Sequence, residues 1–453
     1  MKIIIVGAGE VGFHIAQKLA LESKEVVIID NRAEALKRFS ELLDVQTIQG
    51  SGSSPYVLEQ AGVQHADTFL AVTDKDETNL VACLFADALS PGIVKLARIR
   101  DEHYTTYHAE LTRKILNLSM IINPETEVVK SITRSMNVPG AEDFSEFAGG
   151  RIKLIGIRVN ENAAVTGTRL MELRANVGAL RFIVAAVFRN DRLIIPSGKD
   201  RIKAGDLVYF VCEAEDTEKV LELFGSRMES LRDILIVGGG NIGLRLARHL
   251  EEKPFHVRLI EKNLERCEFL VEQLQRTIVL HGDGTDQTLL EEENIQGMDV
   301  VISLTGDEET NVLTSLLAKR LGAKRCITRL SKFAYIPIAG AIGLGHIVSP
   351  RLSAINTILQ HVRRGKVISA VSLKEEAEVL EAIALESSGI VGKPLKNLHF
   401  PKGAIVLAIL RGDQSMIPTG DTVVLPQDNV IILSTRKNIP RVERELMVKL
   451  EYF

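Results

Sequence analysis

The sequence predicts an α/β protein in which the same pair of domains occurs twice. Three observations lead to this prediction: apolar runs of strand length alternate with helical segments, two glycine-rich turns follow such runs, and the chain repeats itself after about 231 residues. The chain has 453 residues, which suits several domains rather than one. We therefore expect two larger domains with parallel sheets, each followed by a small α+β domain.

Strands and helices alternate through the first hundred residues. Strands are predicted at 2–6, 26–30, 45–48, 68–72 and 93–98, and helices at 10–22, 32–43, from about Pro55, and at 77–89. Near-continuous apolar runs are typical of strands that are buried on both faces of a parallel sheet. The order therefore predicts a parallel sheet that is covered by helices on both faces.

The repeat consists of many matches in one order. "IIIVGAGEVG" at 3–12 corresponds to "ILIVGGGNIG" at 234–243, and "TDKDETNL" at 73–80 corresponds to "TGDEETNV" at 305–312. Smaller segments repeat as well, since "AAVFRNDRLIIPSG" is similar to "LAILRGDQSMIPTG". Chance does not produce so many ordered matches, so the chain is a tandem duplication.

The duplication divides the chain into six predicted segments. They are larger domains at 1–122 and 232–348, small domains at 144–228 and 372–453, and connectors at 123–143 and 349–371. Pro124 and Pro350 suit the first turn of a helix, and apolar residues follow them three and four positions apart. We expect both connectors to be helices that pack either on their own domain or on a partner subunit.

Each larger domain has a glycine-rich turn between its first strand and first helix. The turns contain Gly7, Gly9 and Gly12 in the first half and Gly238, Gly240 and Gly243 in the second. In Rossmann-like domains the first glycine permits the tight turn, the second lets the backbone approach a pyrophosphate, and the third lets the helix pack on the strand. Because the helix N-terminus presents free N–H groups, each turn predicts a nucleotide site. The alternative is a vestigial fold whose glycines are only structural.

A carboxylate ends the second strand of each larger domain. Asp30 follows Gly7 by 23 residues, and Glu261 has the same place in the second half. A carboxylate at this point accepts hydrogen bonds from the adenosine ribose and repels a 2′-phosphate. The sequence therefore predicts NAD or an adenine nucleotide rather than NADP.

Polar residues also follow the fourth and fifth strands. Thr73 and Asp74 are expected beside the nucleotide, whereas Asp76 suits a helix cap, and both roles are compatible. Arg98 and Arg329 follow the fifth strands, where a forked cation suits a pyrophosphate. A surface salt bridge is the alternative for both arginines.

The mouths of the two sites differ. Glu10 stands in the first turn, where its carboxylate either caps helix N–H groups or lowers the affinity for a triphosphate. Asn241 replaces it in the second half, so we expect the two sites to bind differently.

Composition excludes several functional classes. The net charge of −4 gives no general case for nucleic acid. The cysteines Cys83, Cys212, Cys267 and Cys326 have no zinc-ligand spacing and are expected to be reduced thiols in a cytosolic protein. The uncharged stretch 336–350 is too short for a membrane span, and its glycines and prolines favour a loop. Met1 and Lys2 lead directly into a strand, so no signal peptide is expected.

The chain resembles the regulatory proteins of bacterial Trk potassium-uptake systems, a family with tandem RCK domains (also called KTN or Trk-N domains). The resemblance rests on "VGAGEVG", Asp30, "GSGSSPYVLEQAG", "ADTFLAVTDKDETNLVAC" and "ARIRDEHY" in the first half, and on "VGGGNIG", Glu261, "GDGTDQTLL" and "SLTGDEETN" in the second. It extends over essentially the whole chain, and its domain order is N-terminal RCK, C-terminal RCK, then both again.

The resemblance implies a cytoplasmic regulatory subunit, peripheral on the inner face of the cell membrane. Such a subunit forms a homodimer or homotetramer ring beneath a membrane-embedded Trk-type potassium channel or transporter, binds NAD(H) or ATP/ADP, and gates potassium flux. Carried over by position, the first site comprises Gly7, Ala8, Gly9, Glu10, Val11, Gly12, Asp30, Thr73, Asp74 and Arg98. The second comprises Gly238, Gly239, Gly240, Asn241, Ile242, Gly243, Glu261, Thr305 and Arg329, with Gly306 in place of the Asp74 counterpart.

Two other functional classes remain open from the sequence. An NAD-dependent oxidoreductase needs a proton donor or acceptor beside the nicotinamide, and the small domains offer no recognisable His–Asp, Cys–His or Tyr–Lys pairing. A free-standing nucleotide-sensing scaffold is the second alternative. We expect no enzymatic activity, no catalytic residues and no metal site.

Overall fold

The computed structural model describes residues 1–22, 24–104, 114, 117–136, 138, 140–176, 178, 180–190, 192–226, 231–344, 346–362, 367–374, 376–398 and 400–446. Parts of the predicted segments, among them 227–228, 363–366 and 447–453, lie outside the described residues. The chain divides into two compact units. Unit 1 consists of Met1–Ile132 and Leu231–Val362, and unit 2 of Thr133–Ser230 and Arg363–Phe453. The six segment boundaries themselves stay a prediction.

The first half of unit 1 is a Rossmann-like domain. Its strands are β1 (Lys2–Val6), β2 (Glu25–Asp30), β3 (Gln46–Gln49), β4 (Thr68–Ala71), β5 (Val94–Arg98) and β6 (Met120–Ile122), and its helices are α1 (Glu10–Leu21), α2 (Ala33–Leu42), α3 (Pro55–Gln60) and α4 (Asp76–Leu89). The strands are parallel in the order β3-β2-β1-β4-β5-β6. Ile3, Ile4 and Ile5 are fully buried because helices cover both faces of the sheet.

The second half of unit 1 repeats this architecture. Three helices lie between the two Rossmann-like domains in the chain. They are the connector helix α5 (Pro124–Met136) and, in unit 2, α6 (Leu170–Asn176) and α7 (Thr217–Leu223). Its strands are β12 (Asp233–Val237), β13 (His256–Glu261), β14 (Ile278–His281), β15 (Val300–Ser303), β16 (Cys326–Arg329) and β17 (His346–Val348), in the order β14-β13-β12-β15-β16-β17. Its helices are α8 (Asn241–Glu251), α9 (Leu264–Gln273), α10 (Gln287–Glu292), α11 (Glu308–Arg320) and α12 (Tyr335–Ala341).

Unit 2 contains two antiparallel sheets of five strands. The first has β7 (Ala141–Phe147), β8 (Ile152–Arg158), β9 (Phe182–Arg189), β10 (Arg192–Ile194) and β11 (Leu207–Glu213). The second has β18 (Val367–Leu373), β19 (Ala377–Ile383), β20 (Ala404–Arg411), β21 (Gln414–Met416) and β22 (Asn429–Thr435), and α14 (Ile439–Leu446) follows it. One apolar cluster contains buried side chains of both sheets, such as Tyr209 and Leu407, so the two small domains share a core.

The predicted fold class is confirmed, with one local error. Residues 336–350 are not a loop: helix α12, which begins at Tyr335, extends into them, and strand β17 lies within them. Ala339 and Leu344 are buried in a small cluster with Leu330, and this packing outweighs the low helix propensity of Gly340 and Pro337.

The connectors are helical, but the second one packs where the sequence did not place it. Helix α13 (Pro350–Val362) lies against α1 of the first Rossmann-like domain. Ile355 and Ile358 join the apolar cluster that contains Phe13 and Ala16. The helix thus buries its apolar face on the other half of the same chain rather than on its own domain.

In the described part of the chain, no helix has both the length and the apolar character that crossing a membrane requires.

Candidate nucleotide-binding sites

The first glycine turn adopts a conformation that other residues would strain. Gly7 has φ of +116°, and a Cβ on it would lie 3.0 Å from the backbone nitrogen of Thr73. A Cβ on Gly12 would lie 2.0 Å from the carbonyl oxygen of Gly7. The turn therefore brings β1, α1 and the end of β4 into direct contact, as a nucleotide site at this edge requires.

Gly9 has no such packing role. A Cβ on Gly9 would meet no described protein atom within 4 Å, and its φ of −82° is accessible to any residue. Gly240 in the second half is equally open. The surrounding protein does not require a glycine at either position. Without side chains, these two residues leave open space above the turn, and a pyrophosphate needs that space.

The second turn has the same geometry as the first. Gly238 has φ of +108°, and a Cβ on it would lie 2.8 Å from the nitrogen of Thr305. A Cβ on Gly243 would lie 2.0 Å from the carbonyl oxygen of Gly238. Both halves of the chain therefore retain a complete turn.

Asp30 fastens the first turn to the end of β2. Its Oδ2 accepts a hydrogen bond from the backbone N–H of Ala8 at 2.7 Å, and its Oδ1 accepts one from the N–H of Arg32 at 2.9 Å. Burial raises the pKa of Asp30, but hydrogen bonds from Arg32 and Ala8 together lower it by more, so the net pKa is below the usual value. The carboxylate is thus ionised, and its remaining lone pairs suit ribose hydroxyls.

Glu261 has the same role in the second half. Its Oε2 accepts a hydrogen bond from the N–H of Gly239 at 2.7 Å, and its Oε1 accepts one from the N–H of Asn263 at 2.8 Å. The longer glutamate therefore makes the same two kinds of contact as Asp30.

Asn79 is a positioning residue that the sequence analysis did not assign to the site. It is fully buried, its Oδ1 accepts from the N–H of Thr73 at 3.0 Å, and its Nδ2 donates to the carbonyl oxygen of Arg98 at 2.7 Å. Asn311 makes the equivalent bonds to Thr305 and Arg329. The "ETN" triplet that occurs in both halves was the available signal.

Arg98 and Arg329 are oriented by backbone carbonyls. The Nη1 of Arg98 donates to the oxygen of Thr73 at 3.4 Å, and the Nη1 of Arg329 donates to that of Thr305 at 3.1 Å. Burial lowers the pKa of both guanidinium groups. Within the described residues neither group forms an ion pair, and Arg98 Nε is buried without a hydrogen-bond partner. This arrangement differs from a surface salt bridge and leaves a cation that an anionic ligand can satisfy.

Helix α4 begins at Asp76, as the sequence suggested, but the Asp76 side chain does not cap it. It is the first residue of that helix, and its Oδ2 accepts from the N–H groups of Arg100 and Asp101 at 2.8 and 2.9 Å. Asp76 therefore fixes the loop after β5. Asp307 in the second half is a true cap, because its side chain accepts from the N–H of Thr310 at 2.7 Å. The exposed Asp74 contributes its carbonyl oxygen to the Arg100 guanidinium.

Glu10 is paired with a cation of the neighbouring helix. Its Oε1 lies 2.5 Å from Nη1 of Arg38, and its Oε2 lies 3.7 Å from Nε2 of His14. The Arg38 guanidinium also stacks over the Phe13 ring at 3.9 Å. Much of the Glu10 charge is therefore compensated at the mouth of the first site. Val11 is buried in the apolar core beneath the turn.

The second site opens into a cavity of about 550 Å³. The lining includes seven of the nine predicted residues, all but Gly239 and Gly243: Gly238, Gly240, Asn241, Ile242, Glu261, Thr305 and Arg329. Pockets for small molecules and cofactors are usually about 300–1,000 Å³, so the volume suits a nucleotide. Glu125, from the connector of the first half, also lines this cavity.

The described residues contain no group of histidine, cysteine and carboxylate side chains that is arranged to hold a metal ion.

Two family models match the chain in its repeated order. The model described as the TrkA-N domain matches residues 3–124 and 234–350, and the model described as the TrkA-C domain matches residues 154–225 and 379–447. These matches follow the same alternation of larger and small domains as the duplication.

Curated relatives match over the full length. The Trk system potassium uptake protein TrkA of Halomonas elongata is 39% identical over 458 residues, which cover 100% of both chains. The protein of the same name from Azorhizobium caulinodans is 37% identical over 458 residues, with the same coverage.

Solved structures share the fold at low identity. The NAD-bound GsuK channel has a TM-score of 0.61 and 19% identity, with 98% of this chain and 78% of that chain covered. The GsuK RCK domain has a TM-score of 0.59 and 19% identity, with 98% and 94% covered. The family models and the full-length relatives place the chain in the TrkA family, as a protein with tandem TrkA-N and TrkA-C domains.

Proposed function

We propose that the protein is a nucleotide-sensing regulatory subunit of a Trk-type potassium uptake system, which binds NAD(H) and ATP/ADP and controls potassium flux through a membrane partner. The observation that carries this proposal is the repeated site. In each half, a carboxylate holds the N–H of a glycine turn, and an arginine oriented by backbone carbonyls stands at the end of the fifth strand.

The ligand class follows from these groups. Asp30 and Glu261 suit the ribose of adenosine, and the open space above Gly9 and Gly240 suits a pyrophosphate. GsuK, whose fold this chain shares, has been solved with NAD and with ADP. NAD(H) and ATP/ADP have the adenosine diphosphate portion in common, so one site can take either class.

Regulation rather than catalysis is favoured by the organisation of the chain. The full-length relatives are named potassium uptake proteins, and the chain duplicates a whole pair of domains. Two similar halves supply quasi-symmetric surfaces that suit assembly into a homodimer or homotetramer ring. A hydride-transfer enzyme gains nothing from such duplication.

A nucleotide would act by binding one shape of this assembly more tightly than another. A ligand shifts an equilibrium only by its differential affinity for the two states, and a tenfold difference at one site supplies about 1.4 kcal/mol. Two sites per chain, multiplied by the copies in a ring, add their contributions. We propose a cytoplasmic location beneath the membrane partner, where such a shape change reaches the pore.

Calorimetry with the purified full chain tests the binding part of this proposal. We expect heat from NAD, NADH, ATP or ADP binding, with the nucleotide recovered unchanged. No detectable binding of any of the four, or substrate-dependent consumption of NADH, would contradict the proposal.

A further inference from the structure

Each connector helix has a charged residue at its second position, and the one in the first connector lies at the nucleotide site of the opposite half. Glu125, the second residue of α5, lines the cavity of the second site together with Asn241 and Arg329. Arg351 is the second residue of α13 and therefore occupies the equivalent position in the repeat. The two connectors thus carry opposite charges at the same place.

Arg351 lies at the start of a helix that packs on the first Rossmann-like domain. Helix α13 packs along α1, and the N-terminus of α1 opens the first glycine turn. The Nη1 of Arg351 is 3.4 Å from the carbonyl oxygen of Ser331. After burial and Arg100, the positive charge of Arg351 contributes to the lowered pKa of Arg98, and it contributes to the lowered pKa of Arg329 as well. Arg351 is therefore near the predicted phosphate-binding arginines of both sites, whereas Glu125 acts on the arginine of the second site.

The surroundings of Glu125 leave a carboxylate in excess at the second site. Arg245 lies 2.6 Å from Glu102 Oε1 and 3.2 Å from Glu125 Oε2, so one guanidinium serves two carboxylates. All three groups are at least partly buried, which limits screening by solvent.

The equivalent positions of the first site carry a different set. His14 replaces Arg245, Phe333 replaces Glu102 and Arg351 replaces Glu125. The rings of His14 and Phe333 lie 4.0 Å apart, so an aromatic contact stands where the second site has an ion pair. Glu10, the carboxylate at this mouth, is compensated by Arg38. The connector residue at the first site is therefore a cation, where the second site has a carboxylate.

We propose that Arg351 and Glu125 give the two sites different ligand preferences, so that the first site favours ATP or ADP and the second favours NAD(H). ATP and ADP end in a phosphate that carries an additional negative charge, whereas each phosphate of NAD(H) carries one, and in NAD the positive nicotinamide ring offsets part of that charge. Coulomb attraction to Arg351 and repulsion by Glu125 therefore act more strongly on ATP than on NAD. This inference rests on the proposed function and adds a division of labour between its two sites.

Full-length variants that each retain one working site test the inference. Glu261→Ala leaves the first site to be measured, and Asp30→Ala leaves the second. Within these backgrounds we add Arg351→Glu and Glu125→Arg, with Arg351→Gln and Glu125→Gln as milder changes. Each protein is titrated calorimetrically with ATP and with NAD, after its circular dichroism and unfolding temperature are matched to the parent.

We expect Arg351→Glu to weaken ATP at the first site about tenfold and NAD clearly less, which is a difference of about 1.4 kcal/mol for ATP. Glu125→Arg is expected to strengthen ATP at the second site by a similar factor, and each glutamine variant to shift affinity in the same direction by less. Lys219→Glu makes the same charge change as Arg351→Glu at an exposed position of α7 in unit 2. It is expected to change the affinity for neither ATP nor NAD.

The outcomes separate the two proposals. If both sites bind nucleotide but the charge changes at Arg351 and Glu125 alter ATP and NAD equally, or not at all, the division of labour is wrong and nucleotide sensing stands. If the parent chain binds neither ATP nor NAD, the proposed function fails and the inference falls with it.

Discussion

The guanidinium of Arg245, in the second Rossmann-like domain, donates from Nε to Glu125 Oε2 at 3.2 Å, at the start of the connector of the first half. Arg245 also contacts Glu102 at 2.6 Å and is 16% exposed. Ion pairs of one guanidinium thus link two acidic residues of the first half to the helix that follows the second glycine turn.

Arg245→Ala is predicted to destabilise the protein by about 2 kcal/mol, because it leaves two partly buried carboxylates without their cation. A double-mutant cycle with Glu125→Gln, measured by urea unfolding, isolates the coupling between the two residues. Strictly additive effects would show that Arg245 and Glu125 do not interact in solution.

Asp30→Ala and Glu261→Ala are each predicted to weaken nucleotide binding at one site by on the order of 1.5–3 kcal/mol, since each removes a charge-assisted acceptor for ribose and the anchor of a glycine turn. NADP is expected to bind less tightly than NAD to the unaltered protein. Calorimetry measures both effects, and Asp44→Ala, an exposed carboxylate of the same domain, is the matched control. Unchanged NAD affinity in Asp30→Ala, or a preference for NADP, would argue against the ribose role.

Gly9→Ala and Gly12→Ala are both predicted to abolish nucleotide binding at the first site, but only Gly12→Ala is predicted to lower the stability of the protein. The methyl group that Gly9→Ala adds would enter open space, so the unfolding temperature is expected to stay the same while a pyrophosphate is excluded. The methyl group that Gly12→Ala adds would overlap the Gly7 carbonyl, so this variant is expected to lose both stability and binding. Thermal unfolding and calorimetry in the Glu261→Ala background separate the two effects. Normal binding by the Gly9→Ala variant would show that no pyrophosphate passes over this turn.

Asp30→Asn is predicted to lower stability at pH 7 by about 1 kcal/mol, because a neutral amide accepts the N–H groups of Ala8 and Arg32 less strongly. The pKa of Asp30 is lower in the folded protein than its ordinary value of 3.8, so its stabilising effect is present above pH 3.8 and is lost as the pH falls through the folded pKa. Urea unfolding across this range is therefore expected to show the variant and the parent converging in acid. A constant difference at all pH values would mean that ionised Asp30 does not hold the turn.

Local patterns predicted most of the first Rossmann-like domain. Strand β1 and helix α1 follow from an apolar run, a glycine turn and helical spacing, all of which are read within a few residues. The repeat then carried the same assignment to β12 and α8. The alternation of strands and helices predicted that the sheet is parallel, because parallel strands require crossovers, but it did not predict the order of the strands.

The errors arose where the partner of a residue lies far away in sequence. Helix α12 was missed because Gly340 and Pro337 are poor helix formers, and the cluster around Leu330 that stabilises it cannot be read locally. The apolar face of α13 predicted burial but did not name α1 as its partner. Asp76 was expected to cap α4 because its position suits a helix start. Its hydrogen bonds to the loop after β5 could not be predicted, because that loop comes close to Asp76 only in the completed sheet.

Potassium flux through reconstituted membranes tests the central claim most directly. The membrane subunit of the same Trk system is placed in liposomes with and without this protein, and flux is measured under ATP, ADP, NAD and NADH in turn. We predict that flux depends on the protein and changes with the nucleotide, and that the double variant Asp30→Ala/Glu261→Ala loses the nucleotide response. Flux that is the same with and without the protein, under every nucleotide, would contradict the account.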